Sequence, residues 1–323
     1  MISRRALGAL AFAPAVARAE AVWSDRPVRA VVPFGPGGAI DILARVMAPH
    51  LPAGANGQPL VVENRPGAGG TIGANVVAQA KPDGTTLLLA ELGSAALAHE
   101  LYRGLAYDPR TAFTPIVFLV DLPIVMVVRA NLPAQDLPAL LATSRDKPGS
   151  LSYGTVGTGH ISQLLPVLME REAGAGARML QVTYRSGADM VAAVAKGECD
   201  FTCTSLSSAA PFLQSGAIRA MAVSTPAPLA ALPGVPTMAS TRPALIATLW
   251  YGLVGPASMD PALVARINAA FNAIIARPEV RDSLARQMGA ITVGGTPERF
   301  AAHLREETAR WTPVVRAAGI RAE

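Results

Sequence analysis

Four stretches of this chain combine glycine with small polar residues at a spacing suited to holding an anion: residues 33–38, 67–73, 91–95 and 156–162. Each follows a β-rich run and precedes a helical pattern. Backbone N–H groups at a helix start lack intrahelical partners and sit at the positive end of the helix dipole. Such a loop can hold a carboxylate or phosphate with no charged side chain; the alternative is that the glycines only permit tight turns. The candidate contacts are Phe34, Gly37, Gly38 and Asp41 in the first loop, and Gly70 and Thr71 in the second. Ser94 stands in the third, and Thr158, Gly159, His160 and Ser162 in the fourth. Asp41, in the first turn of its helix, either steadies the glycine loop or meets the ligand. His160 is either a donor facing an anion or an exposed loop histidine.

Other chemistries lack their residues. Neither G-x-x-x-x-G-K-[ST] nor a strand-linked G-x-G-x-x-G with a downstream acid is present, which argues against a nucleotide site. G-x-S-x-G is missing too. The four histidines (His50, His99, His160, His303) show no metal-ligand spacing, so neither metal nor cofactor is expected. Cys199 and Cys203 fall on one predicted strand, where residues four apart lie about 13 Å from each other. A disulfide needs α-carbons within roughly 7 Å, so two buried thiols are expected.

The elements that position these loops read as α/β. Val28 opens a continuous apolar strand to residue 34, followed by a helix over 39–51 with Ile40, Leu43, Ala44, Met47 and Leu51 on one face. Strands at 60–63 and 85–91 and a helix at 72–80 complete three strand–loop–helix units. The middle repeats the theme, with strands at 151–154, 179–184, 200–203 and 217–224 and helices at 160–172 and 187–196. A strand at 249–254 and helices at 261–276, 279–288 and 297–317 follow. Extended stretches at about 116–128 and 219–228 have the character of crossings between two domains. Residues 20–120 plus 226–323 then form one domain and 121–225 a second, inserted one. A cleft between two such sheets is a natural ligand site.

Composition agrees. The 323 residues suit two domains, and 51% hydrophobic against 16% charged residues excludes disorder. Mean hydropathy is +0.34, yet no uncharged run reaches the roughly 18–20 residues that cross a bilayer. Residues 1–19 read as a signal peptide: Arg4 and Arg5, an apolar stretch over 6–16, then Ala17-Arg18-Ala19 as the cleavage site. Export to a bacterial periplasm follows. Losing Arg4, Arg5 and Arg18 takes 28 bases to 25 against 23 acids, a mature charge of +2 that gives no basis for nucleic-acid binding.

Taken in order, several motifs resemble the Bug family, the substrate-binding proteins of tripartite tricarboxylate transporters. Val32-Pro33-Phe34-Gly35-Pro36-Gly37-Gly38-Ala39-Ile40-Asp41 is similar to its first motif, and Glu63-Asn64-Arg65-Pro66-Gly67-Ala68-Gly69-Gly70-Thr71-Ile72-Gly73-Ala74 to its most recognisable one. Lys81-Pro82-Asp83-Gly84-Thr85, Leu105-Ala106-Tyr107-Asp108-Pro109, Leu232-Pro233-Gly234-Val235-Pro236-Thr237 and Trp250-Tyr251-Gly252 follow at matching distances. The set spans about residues 27–290.

The resemblance implies a two-lobed, type II-like periplasmic binding protein, each lobe a mixed sheet flanked by helices, closing by a hinge. It also implies a monomeric, non-catalytic receptor that delivers a small carboxylate to membrane permease subunits. A ligand sensor signalling to a membrane kinase is the alternative, and a secreted enzyme a more distant one. Two departures from the family pattern bear on the ligand. In Gly157-Thr158-Gly159-His160-Ile161-Ser162-Gln163, histidine stands where a hydroxyl is usual and glutamine where histidine is. Thr204, beside Ser205, occupies a position where many members carry Asp. Both Thr204 and Ser205 join the candidate contacts. Without that Asp, and with a possible imidazolium, the expected ligand is a di- or tricarboxylate or an aromatic acid that carries no amine.

Overall fold

The computed structural model describes residues 23–51, 57 and 59–322. The expected signal peptide lies outside the described residues. Val28–Val32 (β1) is parallel to Leu60–Asn64 (β2) and Thr86–Ala90 (β3), with helices Ala39–Met47 (α1) and Thr71–Ala78 (α2) between them. This is the strand–loop–helix series that the sequence dictates. The α1 face of Ile40, Leu43, Ala44 and Met47 is buried against the sheet. After β3 the chain makes an irregular turn over Gly93–Leu97 and a short helix, Ala98–Leu101 (α3).

Phe113–Arg129 (β4) organises the rest. Its 17 residues form one strand about 55 Å long. Pro115 and Pro123 suggest interruptions in the sequence, but the strand accommodates its irregular N-terminal part with register shifts between Pro115 and Val117 and between Phe118 and Val120. The neighbours of β4 change at Pro123. From Phe113 to Pro123 it pairs antiparallel with Thr248–Pro256 (β9), which joins β3, and briefly with Ile291–Thr292 (β10). From Ile124 onward it pairs instead with Phe201–Ser205 (β7) and Ile218–Val223 (β8). Ser152–Thr155 (β5) and Leu180–Thr183 (β6) extend that second half in parallel. The second passage between halves is equally narrow: Ser224 N–H donates to the Ile124 carbonyl, and Ala247 N–H to that of Ser224.

Helices cover both halves. Leu137–Asp146 (α4), Ile161–Ala173 (α5), Gly187–Lys196 (α6) and Leu206–Gln214 (α7) belong to the second half; Pro261–Ala276 (α8), Pro278–Met288 (α9) and Pro297–Ala317 (α10) return to the first. A cluster of Val125, Val127, Val191 and Val194 seats α6 against β4. On the other half α10 buries Phe300, Trp311, Val314 and Val315, and the Trp250 and Trp311 indole N–H groups both donate to the Glu307 carboxylate. Cys199 and Cys203 are free, buried thiols. No helix among the described residues is long and apolar enough to cross a membrane.

Candidate functional site

The loops that leave β1, β2, β5 and β7 converge between the two halves. A small cavity of about 30 Å³, room for a water molecule, lies where the start of α1 meets those of α6 and α7. Phe34, Gly38, His160, Thr204 and Ser205 line it, with Tyr251 from β9. Gly38 and Gly187 approach closely: a β-carbon on Gly38 would sit 3.9 Å from the Gly187 nitrogen. Phe34 and Val156 also line a second cavity of about 600 Å³, whose walls include Gly70, Tyr102 and Thr158. A groove of about 710 Å³ on the first half, between α10 and the Ala95–Arg110 region, touches the glycine loops only at Ala95 and contains none of the expected contacts.

The two halves bring different donors to this cleft. Gly38 and Gly70 begin α1 and α2 with no side-chain cap, so the first amides of both helices face the region without a carboxylate or hydroxyl of their own. On the second half every helix start is capped. His160 Nδ1 accepts from Ser162 N–H at 3.1 Å, Ser186 Oγ from Asp189 N–H at 3.2 Å, and Ser205 Oγ from Ser208 N–H at 3.4 Å. The second half therefore offers hydroxyls and an imidazole where the first offers bare backbone.

His160 is not an imidazolium. Burial lowers its pKa to about 4, so the ring is neutral at neutral pH. With Nδ1 accepting from Ser162 N–H, the proton belongs on Nε2. The ring packs edge-on against Phe34 across the cleft, with centroids 5.4 Å apart. The expectation of a positive charge at this position is corrected, because too little water reaches the ring to solvate one.

The remaining expected contacts stand behind the cavity walls. Asp41 is buried; its carboxylate accepts from Gly37 N–H at 3.0 Å, Arg45 Nε at 2.9 Å and Asn64 Nδ2 at 3.0 Å. Burial pushes its pKa up, but these hydrogen bonds outweigh it and hold the group below the usual range. Thr71 Oγ1 donates to the Ala68 carbonyl. Gly159 N–H donates to Gln163 Oε1 at 2.8 Å, and Ser162 Oγ lies 2.7 Å from His160 Nδ1. In the 91–95 loop, Gly93 and Ser94 N–H groups donate to the fully buried Glu91 carboxylate at 2.7 and 2.6 Å. Burial pushes Glu91 up in pKa, opposed by those amides. The Gly93 and Ser94 amides are thus spent within the protein, the buried Ser94 hydroxyl has no partner among the described residues, and Gly93 packs against Gly159.

Sequence reasoning missed Tyr102, Ser186, Arg185 and Arg321, all at the cleft. Ser186 had a readable signal, since Ser186-Gly187-Ala188-Asp189 is a capping-box pattern. Among the described residues, no Asp or Glu lines either cavity. Among the described residues no cluster of His, Cys, Asp or Glu is grouped to hold a metal ion.

With that geometry in place, comparison with known proteins decides the family. The family model described as "Tripartite tricarboxylate transporter family receptor" matches residues 43–320. The chain belongs to this receptor family. Its fold is that of the periplasmic binding protein BugD, at a TM-score of 0.83 and 28% identity over 92% of this chain and 99% of that one. A Rhodopseudomonas palustris protein solved with adipate superposes at a TM-score of 0.85, with 31% identity over 93% of this chain and 100% of that one. MatC from the same organism, solved with bound malate, gives 0.83 and 30% identity over 90% and 99%. The family consists of receptors for small carboxylates, so the chain is a binding protein and the enzyme reading is set aside.

Proposed function

We propose that this receptor works in the periplasm, captures a small amine-free carboxylate between its two halves and delivers it to the membrane permease subunits of a tripartite tricarboxylate-type transporter. The observation that carries the ligand reading is the pair of uncapped starts of α1 and α2, which open on a cleft with no acidic group in its walls among the described residues. A carboxylate there takes backbone N–H donors directly or through water, which costs little. An ammonium group finds no carboxylate partner among the described residues of the walls. In this reading Phe34, Gly38, Gly70, Thr158, His160, Thr204 and Ser205 touch the ligand or its waters. Gly37, Asp41, Thr71, Ser94, Gly159 and Ser162 hold the loops from behind. The halves move as lobes about Pro123–Ile124 and Ser224–Ala247, the two places where backbone passes between them.

A thermal-shift screen against small mono-, di- and tricarboxylates and the corresponding amino acids tests this. Ligand at a hundredfold excess over Kd adds about 2.7 kcal/mol to the folded state, a rise of several degrees. Gly38 has an extended backbone that any residue can adopt, so Gly38→Val folds normally but fills the space before α1. The expected result is a shift with amine-free acids that Gly38→Val abolishes. A shift with aspartate or glutamate alone, with no acid at all, or of equal size in Gly38→Val overturns the proposal.

A further inference from the structure

The larger cavity holds charge that the carboxylate reading does not use. Arg185 and Arg321 both line it. They come from opposite walls. Arg185 precedes the Ser186 cap of α6 on the second half, and its carbonyl oxygen would lie 3.4 Å from a β-carbon on Gly35. Arg321 belongs to the first half: its neighbour Ala322 bridges in parallel with Tyr102 and donates its N–H to the Leu101 carbonyl at 2.8 Å. Both side chains are exposed enough to move, and neither guanidinium has a hydrogen bond or ion pair among the described residues. Tyr102 between them is neutral, its pKa pushed up to about 12 by burial.

We infer that this cavity is a second anion subsite, in which Arg185 and Arg321 take the far carboxylate of a dianionic acid whose first carboxylate lies at the starts of α1 and α2. The inference rests on the carboxylate reading above and narrows it to one class of ligand. Two like charges facing one cavity oppose closure of the cleft. An anionic group between them reverses the sign, and each guanidinium can offer it a charge-assisted fork of donors. The far end of the ligand therefore links one half to the other. Phe34 and Val156 wall both cavities, so the carbon chain between the two carboxylates runs past apolar surface. A monoacid brings no second anion to the two arginines.

Calorimetry with the α,ω-dicarboxylates of four to eight carbons, each against the monocarboxylate of the same length, tests the inference on the full chain and on Arg185→Gln, Arg321→Gln and the double variant. The wild type is expected to prefer a diacid at least tenfold. Each single variant is expected to weaken diacid binding about tenfold and leave monoacid binding unchanged, and the double variant to lose the preference. Monoacids binding as tightly as diacids, or a preference that survives in the double variant, overturns this subsite and leaves the carboxylate reading standing. If neither series binds the wild type, the carboxylate reading fails and the subsite falls with it.

Discussion

Gly69 and Gly157 touch backbone to backbone across the cleft. A β-carbon on Gly157 would lie 3.1 Å from the Gly69 α-carbon, and one on Gly69 would lie 2.5 Å from the Thr158 carbonyl oxygen and overlap the Tyr102 hydroxyl. The two residues sit on different halves and both have positive φ, +58° and +132°. They are glycines for two separate reasons, a turn that L side chains rarely adopt and a contact too close for any side chain. The second reason bears on the lobe motion proposed above, in which this contact belongs to the closed form.

Gly69→Ala and Gly157→Ala should therefore affect binding more than folding. The backbone penalty is about 1 kcal/mol each, a few degrees in melting temperature. Affinity for an acid that stabilises the wild type should fall tenfold or more, because the halves can no longer meet. Calorimetry beside a melting curve separates the two effects. Wild-type affinity in either variant would show that the ligand is held without this contact.

The same contact marks what could and could not be read in advance. Helices over 187–196, 261–276 and 297–317 have the bounds that their apolar spacing and flanking caps dictate. The glycine loops are where the pattern places them. By contrast, β4 reads only as an extended crossing over about 116–128 and not as one 17-residue strand, because Pro115 and Pro123 deny the ladder two N–H groups and the register shifts depend on partners far along the chain. Helices α4 and α7 are obscured for local reasons: α4 is short and weakly amphipathic, and α7 opens on serines and carries Pro211. Within the site, which loop keeps free donors depends on side-chain geometry. Glu91 turning back on Gly93 and Ser94 closes one loop, and Gln163 occupies the Gly159 amide in another. Arg321 reaches the cavity only because Ala322 pairs with Tyr102, a contact 220 residues apart in sequence.

Asp41 offers a test of support against contact. Asp41→Ala removes the acceptor for Gly37 N–H and Asn64 and leaves that amide without its partner in a site where the Asp41 side chain was only 4% exposed. The expected cost is about 2 kcal/mol of stability, read as a lower denaturation midpoint, together with weaker ligand binding as the first loop slackens. Arg45→Gln should cost under about 1 kcal/mol, since that guanidinium is more than half exposed and its pairing is screened. Equal losses in the two variants would mean that the ion pair, and not the loop, is what Asp41 serves.

The neutral His160 makes stability depend on pH in a definite direction. Its folded pKa of about 4 lies below the unfolded value of 6.5, so the unfolded chain binds more protons between those limits. The stabilisation is complete above about pH 6.5 and is lost as pH falls through 4, a change of roughly 3 kcal/mol. His303, stacked on Phe118 and lowered to about 4 by burial and then by Arg299, contributes in the same sense. Chemical denaturation between pH 7 and pH 4 should show the wild type losing stability steadily. Asn caps a helix as well as any residue, so His160→Asn keeps the bond to Ser162 N–H and removes the titration; its loss over that range should be smaller than the wild type's. NMR of the wild type should place the His160 and His303 titrations well below pH 6 and find only the His160 titration missing from the variant. A normal histidine pKa near 6.5 at that position would mean that water reaches the ring, and the inner end of the cleft would then be open to solvent.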